Sequence, residues 1–190
     1  MTVKESPLKD CYIIEPRVIE DERGYFYESF NLRSLEKEIG YAPNFVQDNQ
    51  SKSKYGVLRG LHLQLGEYAQ AKLVRALEGE ILDVVVDGRV ESPTFGKHFA
   101  INLSAENKTQ LFIPRGFAHG FAVLSETAII HYKADNYYFK DSESGLKFDD
   151  PDLNIDWQIP SEQILTSERD QYQPSLKAFR ELLLAQKADN

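Results

Sequence analysis

The chain is short of several features that define common protein classes. Among its 190 residues it has a single cysteine, Cys11, which excludes an intrachain disulfide and any metal site built from several cysteines. It contains neither a Gly-x-Gly-x-x-Gly sequence nor a P-loop pattern. The sequence therefore gives no support for a nicotinamide or flavin cofactor held in a Rossmann site.

Positive charge and long apolar runs are also scarce. Lys and Arg number 22 against 30 Asp and Glu, which gives a formal net charge of −8 and a pI near 5.1. A general nucleic-acid binder needs a basic footprint, so an anionic ligand would have to be held by a local cluster of Arg and Lys. No apolar run is long enough to span a membrane, and the N-terminus lacks the apolar core of a secretory signal. The sequence predicts a cytoplasmic protein that binds neither nucleic acid nor membrane.

Short strands separated by Gly, Pro, Asn and Ser turns dominate the pattern, and no long helical pattern interrupts residues 57–138. This favours an all-β sandwich or barrel over a parallel α/β sheet. Residues 50–54 are interpreted as a polar loop, and short helices are predicted over 31–39 and 174–187. Strands are predicted over residues 11–19, 25–30, 57–64, 73–77, 81–87, 96–103, 110–113, 119–124 and 128–138.

The central stretch of the chain is GVLRGLHLQLGEYAQAK, at residues 56–72, with His62 in its middle. Alternation predicts a strand on which His62 shares one face with Leu58, Gly60 and Gln64. Because Gly60 has no side chain, a bulky group such as a ligand could approach the sheet beside the imidazole. His62 can be a hydrogen-bonded core residue or a general base, since imidazole titrates near neutral pH.

Two further ionisable residues are predicted to point into the apolar interior. Tyr132 shares a strand face with apolar residues, where it either fills the barrel or offers its hydroxyl to chemistry. Lys72 precedes another strand. Most lysines are solvated, so a lysine that points into a barrel would indicate a function. His98 and His131 are interpreted as surface or packing residues.

Two spacings resemble the motifs of the cupin superfamily. Gly56 precedes His62 by six residues, and residues 114–119 read P-x-G-x-x-H, ending at His119. The resemblance implies a jelly-roll barrel with both segments at its mouth. Metal-binding cupins carry His-x-His in the first motif, but here the second position is Gln64, which leaves a poor ligand set for Fe, Mn or Zn. No metal is predicted, and a metal-dependent cupin remains an alternative.

A more specific pattern covers nearly the whole chain, from about residue 11 to residue 170. Its runs, in order, are DERGYFYESF, VQDNQSKSKYGVLRGLHLQ, AKLVRALEGEILDVVVDGR, SPTFGKHFAINLSAENKTQLFIPRGFAHGFAVLSE, YKADNYY, DDPDLNIDW and SERDQ. Together they resemble the dTDP-4-dehydrorhamnose 3,5-epimerase family. The resemblance implies an isomerase that needs no cofactor and converts dTDP-4-dehydro-6-deoxy-D-glucose to dTDP-4-dehydro-L-rhamnose, on the route to dTDP-L-rhamnose and surface polysaccharide.

The resemblance also implies catalytic roles. His62 would remove the protons that the 4-keto group acidifies at C3 and C5, and Asp170 would fix the tautomer of its imidazole. Tyr132 would return a proton from the opposite face of the sugar. Lys72 would stabilise the negative charge on the enolate oxygen.

Substrate binding and assembly are implied in the same way. The substrate-binding residues would be Arg23, Phe26, Glu28, Gln47, Asp48, Asn49, Arg59, Lys72, His119, Tyr138, Glu143 and Arg169. In the family, the first three come from the partner subunit, which implies a homodimer with exchanged N-terminal strands. A non-catalytic cupin that binds a sugar nucleotide, and a 3-epimerase or 3,4-ketoisomerase of the same family, are the other hypotheses.

We expect one cupin-like domain over residues 1–190. Its N-terminal strands cover about residues 11–50, its barrel core about 55–140, and its C-terminal loop and helix 141–190.

Overall fold

The computed structural model describes residues 1–188, so the last two residues of the predicted domain lie outside the described residues. Three α-helices are present in this range, α1 (Leu32–Ile39), α2 (Glu168–Gln171) and α3 (Leu176–Ala188). No helix in this range is long and apolar enough to cross a membrane. The strands are β1 (Thr2–Glu5), β2 (Tyr12–Glu15), β3 (Ile19–Asp21), β4 (Gly24–Phe26), β5 (Gln47–Lys54), β6 (Leu58–Gln64), β7 (Lys72–Glu78), β8 (Glu80–Asp87), β9 (His98–Ser104), β10 (Gln110–Ile113), β11 (Phe117–Val123), β12 (Thr127–Ala134) and β13 (Glu143–Gly145).

Two antiparallel sheets enclose the main core. One has six strands in the order β1-β2-β10-β7-β12-β5, and the other has five in the order β13-β6-β11-β8-β9. Inward side chains of both sheets, such as Val74, Val85, Phe117 and Ile130, form one buried cluster. Because side chains alternate along each strand, every sheet has an inner face, and the two inner faces pack together as a sandwich. The all-β prediction is confirmed.

Each sheet is also covered on its outer face. The C-terminal segment packs Trp157 and Phe179 against Leu61 and Leu82 of the five-stranded sheet. Helix α1 places Leu35 against Leu73 and Phe112 of the six-stranded sheet. Helix α1 begins after Asn31, whose side chain accepts from the Ser34 amide, and ends at Gly40 with φ of 87°; its predicted bounds are confirmed.

Several predicted strand bounds are wrong, one of them because polar residues hide the strand signal. Residues 50–54 belong to β5, which pairs with β12 along its full length although its sequence is polar on both faces. The predicted strand over 11–19 is divided between β2 and β3, with Pro16 in the break, and the predicted strand over 25–30 ends at Phe26. Strand β12 ends at Ala134 instead of residue 138, and the short β13 was not predicted.

The alternation of β6 is interrupted at Gly60, which corrects one prediction about His62. His62 is opposite His119 on β11, whereas Arg59 is opposite Phe121, so three steps on β6 match two on β11. A Cβ on Gly60 would lie 2.5 Å from the Gly120 Cα. The neighbouring strand, not a ligand, fills the space beside Gly60. His62 therefore shares its face with Arg59 and not with Leu58 or Gly60.

Phe179 should be the main anchor of the C-terminal helix. It is fully buried, whereas Leu184 on the same helix is 46% exposed. We expect Phe179→Ala to lower the free energy of unfolding by about 3–5 kcal/mol, because it leaves a cavity under α3. Leu184→Ala, the matched control, should change it by less than about 1 kcal/mol. Urea unfolding of the two variants measures both values, and equal losses would contradict this account of the packing.

Candidate active site

A cleft of about 640 Å³ opens between the two sheets. Strands β5, β7 and β12 of one sheet and β6 and β11 of the other contribute to it, together with the segment that leads into α2. Eight of the residues predicted from the sequence line this one cleft: Asn49, Arg59, His62, Lys72, His119, Tyr132, Arg169 and Asp170.

His62 and Asp170 form a close pair at the wall of the cleft. The His62 Nε2 lies 2.5 Å from the Asp170 Oδ1, and the Ser167 hydroxyl donates to the Asp170 Oδ2 at 2.8 Å. The Asp170 side chain is almost fully buried and that of His62 is 26% exposed. Burial alone would raise the pKa of Asp170, but the hydrogen bonds from His62 and Ser167 and the nearby positive charges outweigh it and lower that pKa. Asp170 is thus an anion that fixes the imidazole and leaves its Nδ1 free.

Lys72 and Tyr132 point inward from neighbouring strands. The Lys72 Nζ lies 5.8 Å from the centroid of the Tyr132 ring. Burial lowers the pKa of Lys72 to about 8, against the opposing effect of the Asp83 charge. Burial also raises the pKa of Tyr132, which the Arg59 charge opposes. Among the described residues, none forms a hydrogen bond or an ion pair with the Lys72 ammonium or the Tyr132 hydroxyl, so both groups are available to a ligand.

A second histidine–carboxylate pair lies beside the first. His119 is the cross-strand neighbour of His62, and its Nε2 lies 2.8 Å from the Asp83 Oδ2. Both partners are buried, Asp83 completely. The cleft therefore has two imidazoles, each held by a carboxylate behind it.

Positive charge is concentrated along the cleft. Because the chain as a whole is acidic, an anionic ligand needs such a local cluster of cations. Arg59 donates from Nε to the Ser53 hydroxyl at 3.1 Å. Arg169 is ion-paired with Glu143. With Lys54 and Lys72, these give a cluster of four cations along one cleft, which suits a diphosphate.

Polar residues at the end of β5 connect to the loop after β12. The Gln47 side chain donates to the Asn49 side chain at 2.9 Å and accepts from the Tyr138 amide at 3.2 Å. The hydroxyl of Tyr138 in turn donates to Glu143 at 2.8 Å. This chain of contacts brings Gln47, Tyr138 and Glu143 to the same side of the barrel as Asn49.

Other predicted residues lie away from the cleft within this chain. Asp48 is on the outer face of its sheet, where it accepts from the Lys133 ammonium at 3.0 Å. Arg23 is ion-paired with Asp21 in the turn between β3 and β4, and Phe26 is 71% exposed. Glu28 follows the same hairpin, and none of these residues lines the cleft. Their roles in binding stay predictions.

Gln64, which occupies the second histidine position of the cupin motif, holds the chain in place. Its amide group donates to the carbonyls of Tyr68 and Tyr137 and accepts from the Phe139 amide. Residues 1–188 contain no group of three or more His, Cys, Asp or Glu side chains arranged to hold a metal ion.

Sequence reasoning missed two residues of the site, Ser167 and Asp83. Ser167 is the N-cap of α2 and its hydroxyl also contacts the Asp170 amide. The spacing Ser-x-x-Asp was a readable helix-start signal. Asp83 stands alone in the apolar run of β8, and a lone charge in a buried strand is itself a signal of function.

An antiparallel β-barrel with these ionisable side chains in its cleft is typical of the cupin superfamily, and comparison with known proteins places the chain among isomerases. A family model described as dTDP-4-dehydrorhamnose 3,5-epimerase matches residues 5–178. A relative with the same description, from Shigella flexneri, is 54% identical over 170 residues, which cover 90% of this chain and 93% of the relative.

Solved structures agree with this match. The crystal structure of dTDP-4-dehydrorhamnose 3,5-epimerase from Elizabethkingia anophelis NUHP1 has 60% sequence identity and a TM-score of 0.91, covering 94% of this chain and 97% of that one. The dTDP-6-deoxy-D-glucose-3,5-epimerase of Legionella pneumophila Philadelphia 1, in complex with dTDP-4-keto-L-rhamnose, has 46% identity and a TM-score of 0.88, covering 93% of both chains. The chain belongs to the dTDP-4-dehydrorhamnose 3,5-epimerase family, and the predicted cupin fold is confirmed.

The buried charge of Lys72 should cost stability at neutral pH. The pKa of Lys72 is about 8 in the folded protein, below the ordinary value of 10.5. The unfolded chain therefore binds more protons between these values, and stability rises with pH through this window. We expect Lys72→Met to be more stable than the wild type at pH 7, with an advantage that shrinks by about 2 kcal/mol by pH 10.

Urea unfolding at the two pH values measures this change. Lys133→Met is the matched control, because Lys133 is ion-paired with Asp48 on the outer face of the sheet. It should not gain stability at pH 7. An advantage of Lys72→Met that is equal at pH 7 and pH 10 would contradict the burial argument.

Proposed function

We propose that this chain epimerises dTDP-4-dehydro-6-deoxy-D-glucose at both C3 and C5 to give dTDP-4-dehydro-L-rhamnose, without a cofactor, for dTDP-L-rhamnose and surface polysaccharide synthesis in the cytoplasm. The observation that carries the proposal is one cleft with the His62–Asp170 pair, the Tyr132 hydroxyl and the Lys72 ammonium. These are the groups that two successive proton transfers next to a carbonyl require.

Each inversion proceeds through an enolate. The Nδ1 of His62 takes the proton from the carbon next to the C4 carbonyl, and the electron pair of that C–H bond moves onto the carbonyl oxygen. Lys72 stabilises the resulting enolate, because a positioned cation in a partly dry site is effective there. Asp170 balances the charge of the imidazolium that forms.

Protonation from the opposite face completes the inversion. Tyr132 donates its hydroxyl proton to the carbon, the enolate collapses to the ketone, and a tyrosinate remains. The proton on His62 then returns to Tyr132 through solvent, so that the enzyme is unchanged after each step. Burial raises the pKa of Tyr132, so the hydroxyl carries a proton to donate at neutral pH.

The rest of the substrate is held around this centre. Arg59 and Arg169 bind the diphosphate, and His119 hydrogen-bonds the sugar. Gln47, Asn49 and Glu143 also contact the substrate, and the half-exposed ring of Tyr138 offers a flat apolar surface beside them.

The proposal includes a homodimer in which Arg23, Phe26 and Glu28 complete the cleft of the partner. Support comes from the hairpin of β3 and β4, which pairs with no other strand among the described residues and exposes Ile19, Tyr25 and Phe26. Apolar side chains clustered in this way are typical of an interface.

Two hypotheses compete with this one. An enzyme that epimerises only C3, or that moves the keto group from C4 to C3, would use the same base but fewer steps. A non-catalytic protein that binds a sugar nucleotide would keep Arg59 and Arg169 but would not need the His62–Asp170 pair.

Solvent deuterium exchange separates these hypotheses. We expect proton NMR of dTDP-4-dehydro-6-deoxy-D-glucose incubated with the wild type in D2O to show deuterium entering both C3 and C5. His62→Ala should lose exchange at both carbons by a factor of at least about 100, because no other group replaces the base. His98→Ala, an exposed histidine of β9, is the control and should exchange normally.

The alternative outcomes are also informative. Exchange at C3 alone would favour the 3-epimerase or the ketoisomerase, which the product spectrum distinguishes. Binding of the substrate without exchange at either carbon would favour the non-catalytic protein, and unchanged exchange in His62→Ala would remove His62 from its role.

Mixed dimers test whether each cleft uses two chains. We expect His62→Ala and Arg23→Ala to be nearly inactive alone, and a refolded equal mixture to recover about a quarter of the wild-type activity. In a dimer of one chain of each kind, one cleft combines an intact His62 with an intact Arg23 from the other chain. A mixture no more active than either variant alone would contradict the exchange of N-terminal strands between subunits. A mixture of His62→Ala with Asp170→Asn is the negative control, because both substitutions affect the cleft of the chain that carries them.

A further inference from the structure

Asp83 is the most deeply buried charge near the cleft, and the catalytic scheme above does not use it. It lies in the middle of β8, where residues 81–87 are all buried, and its side chain is fully enclosed. Its Oδ2 meets the Nε2 of His119 at 2.8 Å, whereas its Oδ1 is buried without a donor among the described residues. An apolar side chain at this position would avoid that desolvation, so a structural role alone does not explain the carboxylate.

Lys72 lines the same cleft as His119, the residue that Asp83 contacts, so the negative charge of Asp83 lies close enough to act on Lys72. Burial lowers the pKa of Lys72, and Asp83 is the charge that opposes this lowering. The other titratable groups around the cleft are Lys54, Arg59, His62, His119, Tyr132, Arg169 and Asp170. Asp170, the anion among them, is already engaged by His62 and Ser167.

Asp83 also determines how His119 faces the substrate. Its carboxylate accepts a hydrogen bond from Nε2, so that nitrogen carries the hydrogen and the Nδ1 is the atom left for a ligand. One buried carboxylate thus contacts one residue of the cleft directly and reaches a second through its field.

We propose that Asp83 is a positioning residue of the epimerase: it holds His119 through Nε2 and supplies the buried negative charge that keeps Lys72 cationic for the enolate. This inference rests on the proposed function. The enolate oxygen needs a cation at the pH at which His62 works as a base, and a lysine in an apolar barrel keeps its proton poorly without a nearby anion.

The test is the isosteric variant Asp83→Asn. Its side-chain oxygen still accepts from the His119 Nε2, while the negative charge is lost. Without that charge Lys72 releases its proton at lower pH, so we expect the alkaline limb of the pH profile of deuterium exchange to move down by about one pH unit. Between the lowered limb and the limb of the wild type, kcat should fall more than KM rises, because a neutral Lys72 no longer stabilises the enolate.

Asp87→Asn is the matched control. Asp87 is on the same strand and its side chain is fully buried, but it is bound by Arg89, Ser92 and Thr94. It should affect stability without moving the alkaline limb. If Asp83→Asn gives no folded protein, Asp83→Ser, which is smaller and neutral, replaces it with the same expected shift.

A second measurement does not depend on activity. The titration of Lys72 is followed by NMR of its ¹³Cε, assigned with Lys72→Arg, in the wild type and in Asp83→Asn. A midpoint lowered by about one pH unit in the variant, and unchanged in Asp87→Asn, supports the inference. An identical Lys72 midpoint in the wild type and Asp83→Asn would overturn it.

The two measurements separate the two proposals. If the wild type shows no exchange, the proposed function fails, and the Lys72 titration still decides the role of Asp83. If the wild type exchanges at both carbons but neither the limb nor the midpoint moves in Asp83→Asn, the inference about Asp83 alone fails.

Discussion

Alternation of inward and outward side chains along antiparallel strands is the constraint on which the rest of this structure depends. The same inward faces that build the apolar core at Val74 and Ile130 also bring Lys72 and Tyr132 to its open end. Ionisable side chains at such positions cannot leave the interior without turning their whole strand around. The barrel therefore holds its reactive groups rigidly, at the cost of removing their charges from water.

Electrostatic pairing offsets that cost. Each of the two neighbouring imidazoles has a carboxylate behind it, Asp170 for His62 and Asp83 for His119. The two pairs differ in exposure: the His62 side chain is partly open to the cleft, whereas His119 and Asp83 are buried. This difference in exposure fits the proposal in which His62 acts on the substrate and the more buried pair lies beside it.

The N-terminal region is the part of the chain least explained by its own contacts. The hairpin of β3 and β4 exposes large apolar side chains, and β5 leaves one edge of the six-stranded sheet without a partner strand among residues 1–188. An open edge beside an active cleft is a position that proteins ordinarily cover. A homodimer with exchanged strands would cover such surfaces and complete the binding site in one step.

The sequence by itself determined the all-β class, helix α1 with both of its ends, and the residue types of the candidate site, because alternation, capping residues and the ordered motifs are local signals. Tertiary structure alone decided the register shift at Gly60, the position of polar β5 within a sheet, the outward direction of Asp48, and the pairing of Asp83 with His119. The match to a known family named Asp170 as the partner of His62, but the contact itself spans 108 positions along the chain. Such contacts depend on how segments far apart in the sequence pack together, and local periodicity in the sequence does not predict that packing.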